Sequence, residues 1–457
     1  MNPSVYLVMD MWTVKSEAGR LWSVMVHSAV SAQWWKIPLP GTHPLAAFRT
    51  IKQTYPIEEA AAEHGKIIEF LEEEGVRVFE LNRVLAEILE GASRAEKEEI
   101  IGEVWGEDGR RPAAEELRVE HLIDGYPPHP IYDEESGELI VSGRQRGSIY
   151  SRDIAFMTQR GLVVSRMKAE GRREQPRIAK TAFERHPKLK ENVDIILDAN
   201  QQEEEIDLSP IAIEGGDVLI LDEETILCGV GQRSNLLGLK YVAERIFEED
   251  RDGDIRTICA TRIAGPLPSG GHLDVFLNFP DRRKALVMPY ILESDLVPGF
   301  PRRSLLTKMS DALVSLSDIK KGVGGGLEYP NFENCGMCDI YRRDGRGRPE
   351  KVSRERNLID LLIREDKIDV DGIIMVGGAP EKENDVNHLA RALQEGLREA
   401  GNIVTIKPGL IVAYERNIAT NESLEEHGIR LKRLPSAHLD MLGGPHCMTM
   451  PLHRDPA

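Results

Sequence analysis

"FLEEEGVRVFEL" (Phe70–Leu81) and "SLEEHGIRLKRL" (Ser423–Leu434) lie near opposite ends of the chain and match almost position by position. Each reads as the last turn of an acidic helix, a glycine, and a strand. Glycine suits that junction because the residue after a helix often takes the left-handed conformation, which a Cβ disfavours. Outward from the first copy, "RLWSVMVHSA" reads as a strand and "PIEEAAAEHGKIIEFLEEEG" as an amphipathic helix. Around the second, "GLIVAYERN", "TNESLEEHG" and "IRLKRLP" keep the same order, and "TILCGVG", "SNLLGLKYVAERIFEED" and "IRTICATRI" offer a third copy. Repeated strand–helix–strand units predict one pseudo-symmetric α/β body over residues 1–457.

Two segments break the rhythm. Residues 82–125 carry helical spacing without strands and are expected to be a helical insertion; residues 300–355, rich in glycine and charge, are expected to be a loop-rich insertion.

Composition narrows the partners. A formal charge of −18 argues against a nucleic-acid backbone and suits a cationic ligand. Five cysteines scattered over 457 residues do not form a disulfide framework, so a cytoplasmic location is expected. The start "MNPSVYLVMDMW" lacks a basic segment followed by an apolar core, and no stretch approaches the ~18 apolar residues of a membrane span. "CGMC" (335–338) has half the ligands of a structural zinc site and no second pair, so Cys335 and Cys338 read as an unpaired loop pair. "GVGGG" (322–326) lacks the lysine and hydroxyl of a phosphate loop, and "DRDGD" (250–254) has Ile255 where a calcium loop needs glycine. No metal and no cofactor are expected.

Four segments carry residues suited to chemistry. "HLDVFLNF" alternates, so a strand there would set His272 and Asp274 side by side on one face. "IEGGDVLILDEETILCGVG" reads as strand, polar turn and strand; alone, Glu214 and Asp217 would be the solvated start of a hairpin. In "IYSRDIAFM", Asp153 precedes an apolar strand and alone would be a turn cap. In "GGPHCMTMP" (443–451), Cys447 sits in a glycine-rich turn, not in the apolar segment where a packing cysteine belongs.

Taken in order with "PGLIVAYERNIATN" (408–421) and "GGPHCMTMPLHRD" (443–455), these segments resemble the arginine deiminases of the guanidino-group-modifying superfamily. The resemblance implies a five-bladed α/β propeller of ββαβ units around a polar central site, with the helical insertion in its N-terminal third. It makes Asp153 and Asp274 the carboxylates that grip a guanidinium through two-pronged hydrogen bonds. Cys447 becomes the nucleophile, its thiolate favoured by a cationic substrate, a neighbouring histidine and turn amides. His272 becomes the general acid and then base, Glu214 orients it and keeps it protonated, and Asp217 is architectural. Arg233 and Arg172 would bind the α-carboxylate of an amino-acid substrate, with Arg173 leaving the register of the second open.

The implied reaction turns L-arginine and water into L-citrulline and ammonia through an amidino-cysteine intermediate. Two departures fall on substrate recognition: Gly147 stands where many members have asparagine, and Leu442 and His446 stand in a turn where many have arginine. Another guanidino compound is therefore compatible with the sequence, as is an amidinotransferase, which shares the covalent step but passes the amidino group to an amine. A catalytically silent guanidino-binding relative would have no physical reason to keep nucleophile, base and clamps together. The expected partner is a small cationic guanidino substrate, and a homo-oligomer is expected.

Overall fold

The computed structural model describes residues 11–27, 57–106, 111–126, 131–133, 138–140, 149–201, 207–263, 271–308, 334–439 and 443–457. The protein is α/β, built from small mixed sheets, and five of these repeat one topology. In each, a middle strand has an antiparallel neighbour on one side and a parallel neighbour on the other, with a helix joining the parallel pair.

The first sheet centres on Leu21–Val26, which runs antiparallel to Thr449–Arg454 and parallel to Arg77–Glu80, the parallel pair being joined through the helix Ile57–Glu73. The second orders Ala155–Met157, Leu162–Val164 and Ile195–Asp198 around the helices Gln175–Arg185 and Pro187–Asn192. The third uses Val218–Ile220, Thr225–Val230 and Thr257–Arg262 with the helix Leu236–Glu249. The fourth uses Leu277–Asp281, Lys284–Val287 and Ile373–Met375 with the helix Leu358–Arg364. The fifth uses Val404–Lys407, Leu410–Tyr414 and Arg430–Leu434 with the helix Ile418–Glu426. All three sequence copies thus fall on equivalent elements. Gly75 and Gly428 both have φ 79°, the left-handed geometry that the twin junctions require.

Sheets that follow one another in sequence touch in space. Thr449–Arg454 lies against Ala155–Met157, the turn Ser151–Ile154 against Gly215–Asp217, Val218–Ile220 against Leu273–Val275, and Leu277–Asp281 against Val404–Lys407. Val404–Lys407 in turn meets Leu21–Val26, so the fifth sheet returns to the first. Apolar side chains bury these contacts: Val24, Leu71, Val412 and Leu434 share one cluster between the first and fifth sheets.

The helical insertion is present as Leu81–Gly91, Arg94–Trp105 and Val119–Asp124, the middle one opened by a Ser93–Glu96 capping box. Val84, Leu85 and Leu89 of the first and Ile100 and Val104 of the second join the cluster that holds Ile178 and Phe183.

Residues 300–355 differ from expectation. Cys338–Arg343 and Pro349–Glu355 form a hairpin that extends the third sheet to five strands. The outer strand is exposed along most of its length, so it lacks the apolar alternation by which a strand is recognised. "GVGGG", Gly147 and Leu442 lie outside the described residues. Cys335 and Cys338 are buried, as are Cys228, Cys259 and Cys447. "DRDGD" is a turn whose Asp250 carboxylate accepts from Arg160 and from Ile255 N. No described helix is long and apolar enough to cross a membrane.

Two glycines test the packing. A Cβ at Gly215 would lie 2.0 Å from the Arg152 carbonyl oxygen, whereas one at Gly65, inside a helix, would meet nothing within 4 Å. Gly215→Ala is expected to destabilise by about 1–3 kcal/mol and Gly65→Ala to stabilise by about 0.5–1 kcal/mol, read as opposite shifts of Tm in thermal unfolding.

Candidate active site

The site collects side chains from equivalent places in the five units. Asp153 stands just before the first strand of the second unit, Glu214 before that of the third, and His272 and Asp274 before that of the fourth. Asn402 stands just before the first strand of the fifth, and Cys447 just before Thr449–Arg454 in the first.

His272 and Asp274 do not share a strand face. Leu273–Val275 is a 3-10 turn and the strand begins only at Leu277. Buried Asp217 braces that turn, its carboxylate accepting from Leu273 N at 3.0 Å and Ser234 N at 3.1 Å. Asn278 fixes the other side by donating to Asp274 O at 2.6 Å. The turn sends the two side chains apart. His272 meets Glu214 and Asp153, while Asp274 meets His446 and Cys447.

Glu214 is not solvated but fully buried, with Oε2 3.0 Å from His272 Nε2. Both glycines of "EGGD" serve close approach: Gly215 faces the Arg152 carbonyl, and a Cβ at Gly216 would lie 2.8 Å from the His272 ring. Burial works against the charge on His272, but Asp153, Asp217 and Glu214 together outweigh it and raise its pKa. The ring is an imidazolium at neutral pH. Burial likewise opposes the charge on Glu214, and His272, Arg172 and Arg233 overcome it and lower its pKa.

Asp153 lies in a short helical turn, Ser151–Ile154, rather than capping one. Its Oδ2 accepts from Arg172 at 2.9 Å, and its Oδ1 has no hydrogen-bond partner, lying 3.6 Å from His272 Nδ1. Arg172 is the buried arginine of its pair and Arg173 is exposed. Arg172 also donates to Gln175 at 2.9 Å. Arg233 is half-buried, and its charge reaches Glu214.

Cys447 donates its backbone N–H to Asn402 Oδ1 at 2.9 Å and accepts at its carbonyl from Arg152 N at 3.1 Å. Its sulfur lies 3.6 Å from Asp274 Oδ2. Burial pushes the thiol pKa well up, and Asp274, Glu399 and Asp153 push it further. Burial and these carboxylates favour the protonated thiol. The adjacent His446 does not relieve this, because its ring contacts Asp274, Arg152 and Glu17 instead.

Several residues escaped the sequence analysis. Asn402 joins nucleophile to clamp, since its Nδ2 donates to Asp274 O at 3.1 Å while its Oδ1 holds Cys447 N. Gly444 makes room for it, a Cβ there falling 2.3 Å from Asn402 Oδ1. Glu399 is buried, holds φ 59°, and has an Oε2 without a hydrogen-bond partner; burial and the nearby Asp274 raise its pKa well above the carboxylate range. The equivalence of the five junctions would have pointed to both.

Asp153 Oδ1 and Asp274 Oδ1 are thus buried acceptors awaiting donors, an arrangement that is costly when unmet. Asp153, Glu214 and His272 also present ligand atoms within 4.8 Å of one another, as a metal would require. Arg172, 2.9 Å from Asp153 and 3.7 Å from Glu214, already supplies positive charge at that point.

Open carboxylate oxygens, an imidazolium and a single thiol at one site define an enzyme that hydrolyses guanidino C–N bonds. The arginine deiminase family model matches residues 147–305 and 364–454, more than half of the chain, and the chain belongs to the arginine deiminase family. An arginine deiminase of Staphylococcus epidermidis is 24% identical over 425 residues, covering 87% of this chain and 89% of its own. One of Metamycoplasma hominis is 24% identical over 456 residues, covering 96% of each. Among solved structures, SxtG, an amidinotransferase from Microseira wollei in the saxitoxin biosynthetic pathway, covers 98% of each chain at 13% identity and TM-score 0.48.

Glu214→Gln removes one of the three carboxylates that hold the proton on His272. The expected outcome is an imidazolium that deprotonates at lower pH than in the parent protein, followed by NMR titration of the histidine ring. An unchanged titration would mean that Asp153 and Asp217 alone hold the proton.

Proposed function

We propose that this protein deiminates a free guanidino compound, L-arginine first among them, through a covalent amidino-Cys447 intermediate. The observation that carries this reading is the pair of partnerless oxygens, Asp153 Oδ1 and Asp274 Oδ1, in a site that also holds the Cys447 thiol. A guanidinium supplies planar N–H donors for these two oxygens and a positive charge to set against Asp274.

The cation would offset the carboxylates that hold the thiol protonated, so substrate binding itself promotes the thiolate. The sulfur then bonds to the guanidinium carbon, giving a tetrahedral centre. As the terminal C–N bond breaks, the His272 imidazolium gives its proton to the departing nitrogen, and ammonia leaves. The neutral imidazole next takes a proton from water, and the hydroxide adds to the amidino carbon. The C–S bond breaks, the thiolate is regenerated, and a ureido product forms. Glu214 keeps the ring aligned through both proton transfers. Arg172, close to Asp153, and Arg233 are the proposed ligands for an α-carboxylate.

We further propose that the five units stand as the blades of a propeller with this site on the axis. The closed order of contacts from first to fifth sheet and back supports this, as does the common position of the site residues at the head of each unit. Five cysteines scattered along the chain, an odd number, support a cytoplasmic location.

The test incubates the protein with L-arginine, agmatine, guanidinoacetate and methylguanidine, with and without an acceptor amine, and assays ureido product and ammonia. Ammonia with citrulline from arginine is expected, together with a drop of at least about 10⁴-fold in kcat in Cys447→Ala. Amidino transfer to the amine without ammonia would replace hydrolysis with transfer, and undiminished turnover in Cys447→Ala would defeat the covalent mechanism.

A further inference from the structure

We propose that His446 is a positioning residue, locked as a hydrogen-bond donor to the clamp carboxylate Asp274 by a buried chain that starts at Glu17 and passes through Arg152. The inference rests on the reading of Asp274 as a guanidinium clamp.

The His446 ring lies between Asp274 Oδ2, 2.8 Å from Nδ1, and an Arg152 terminal nitrogen, 2.9 Å from Nε2. An arginine side chain has donors only, so a histidine nitrogen in hydrogen-bond contact with it must accept. Nε2 therefore carries the lone pair, Nδ1 carries the proton, and that proton points at Asp274. An imidazolium would instead set two cationic donors against each other at sites 1% and 3% exposed, and of the two carboxylates beside it only Glu17 Oε2, at 3.4 Å, lies on the Nε2 side where they meet.

Arg152 cannot turn away. Its terminal nitrogens donate to Glu17 at 3.2 and 3.5 Å, and its Nε donates to Thr449 O at 3.2 Å. Glu17 is anchored too, its N–H donating to Ile220 O at 2.6 Å and its carbonyl accepting from Arg454 at 3.0 Å. The sequence "SRD" accordingly has two tasks. Asp153 faces the substrate site and Arg152 sets the tautomer of a histidine on another unit, while Ser151 Oγ donates to Met448 O at 2.9 Å.

The lock keeps Asp274 Oδ2 occupied and leaves Oδ1 as the oxygen open to a ligand. Because Cys447 Sγ lies 3.6 Å from that same Oδ2, fixing the carboxylate also fixes its distance to the nucleophile. The charged and titratable groups facing this pair are His272, Arg152, Cys447 and Glu399 around Asp274, and Glu17 and Arg152 around His446, with Arg454 beside Glu17.

Two substitutions separate the lock from mere packing. The amide of asparagine puts a donor near the position of Nδ1, and that of glutamine near Nε2. His446→Asn is expected to hold kcat/KM for arginine within about tenfold, and His446→Gln to lose about 100-fold, mainly in KM. In the glutamine variant the acid limb of the pH profile should also move up, since Asp274 loses a donor that favours its ionised form. Histidine-selective ¹⁵N NMR of the unsubstituted protein, assigned by difference with His446→Asn, should show a neutral ring protonated on Nδ1. An imidazolium or an Nε2–H tautomer there, or equal losses in the two variants, overturns the proposal. If one variant does not fold, difference against the other assigns the ring and the spectrum still decides; if no guanidino compound is turned over, the functional reading fails while the spectrum continues to test the lock.

Discussion

Negative charge held out of water around a single thiol sets the terms for this protein. Asp153, Asp274 and Glu399 lie near Cys447, Glu214 lies beside His272, and burial makes every carboxylate among them expensive to ionise without a partner. Arg172 and His272 offset part of this charge, and Glu399 avoids the rest by keeping its proton. The balance left over favours a ligand that is flat, positive and rich in N–H groups. The same charge raises the Cys447 thiol pKa, so a bound cation would favour the thiolate.

The repeated topology is what makes such a site possible. Each unit begins at a junction where the chain is not yet committed to a sheet, so the side chain there can reach the site while the strand behind it packs. Asp153, Glu214, Asp274, Asn402 and Cys447 are one such position taken five times. No unit carries more than a fragment of the chemistry. Asn402 joins two of them, bonding the backbone of Cys447 to that of Asp274.

Much of the fold was legible because the helix-ending glycines and apolar periods are local signals. The twin junctions at Gly75 and Gly428 and the third copy near Thr225–Arg262 needed no tertiary information. The hairpin of 338–355 was hidden because its outer strand faces solvent and alternates no apolar residues. The site was legible where short motifs carried it, at Asp153, Glu214, His272, Asp274 and Cys447. Its geometry was not: the His272–Asp274 turn is braced by Asp217, more than fifty residues away in sequence, and strand alternation cannot register such a bond. Asn402 and Glu399 were missed because "REAGNIV" looks like an ordinary helix exit, and Glu17 because its partner Arg152 is brought to it only by the closing of the units.

The pairing of Leu21–Val26 with Thr449–Arg454 has a biosynthetic consequence. On the ribosome the first sheet has its parallel strand early but must wait for nearly the whole polypeptide before its antiparallel neighbour emerges. Until then one flank of that sheet stays unsatisfied and the thiol-bearing turn has no anchor. The hydrogen bonds between those two strands can therefore form only after every segment between them has been made.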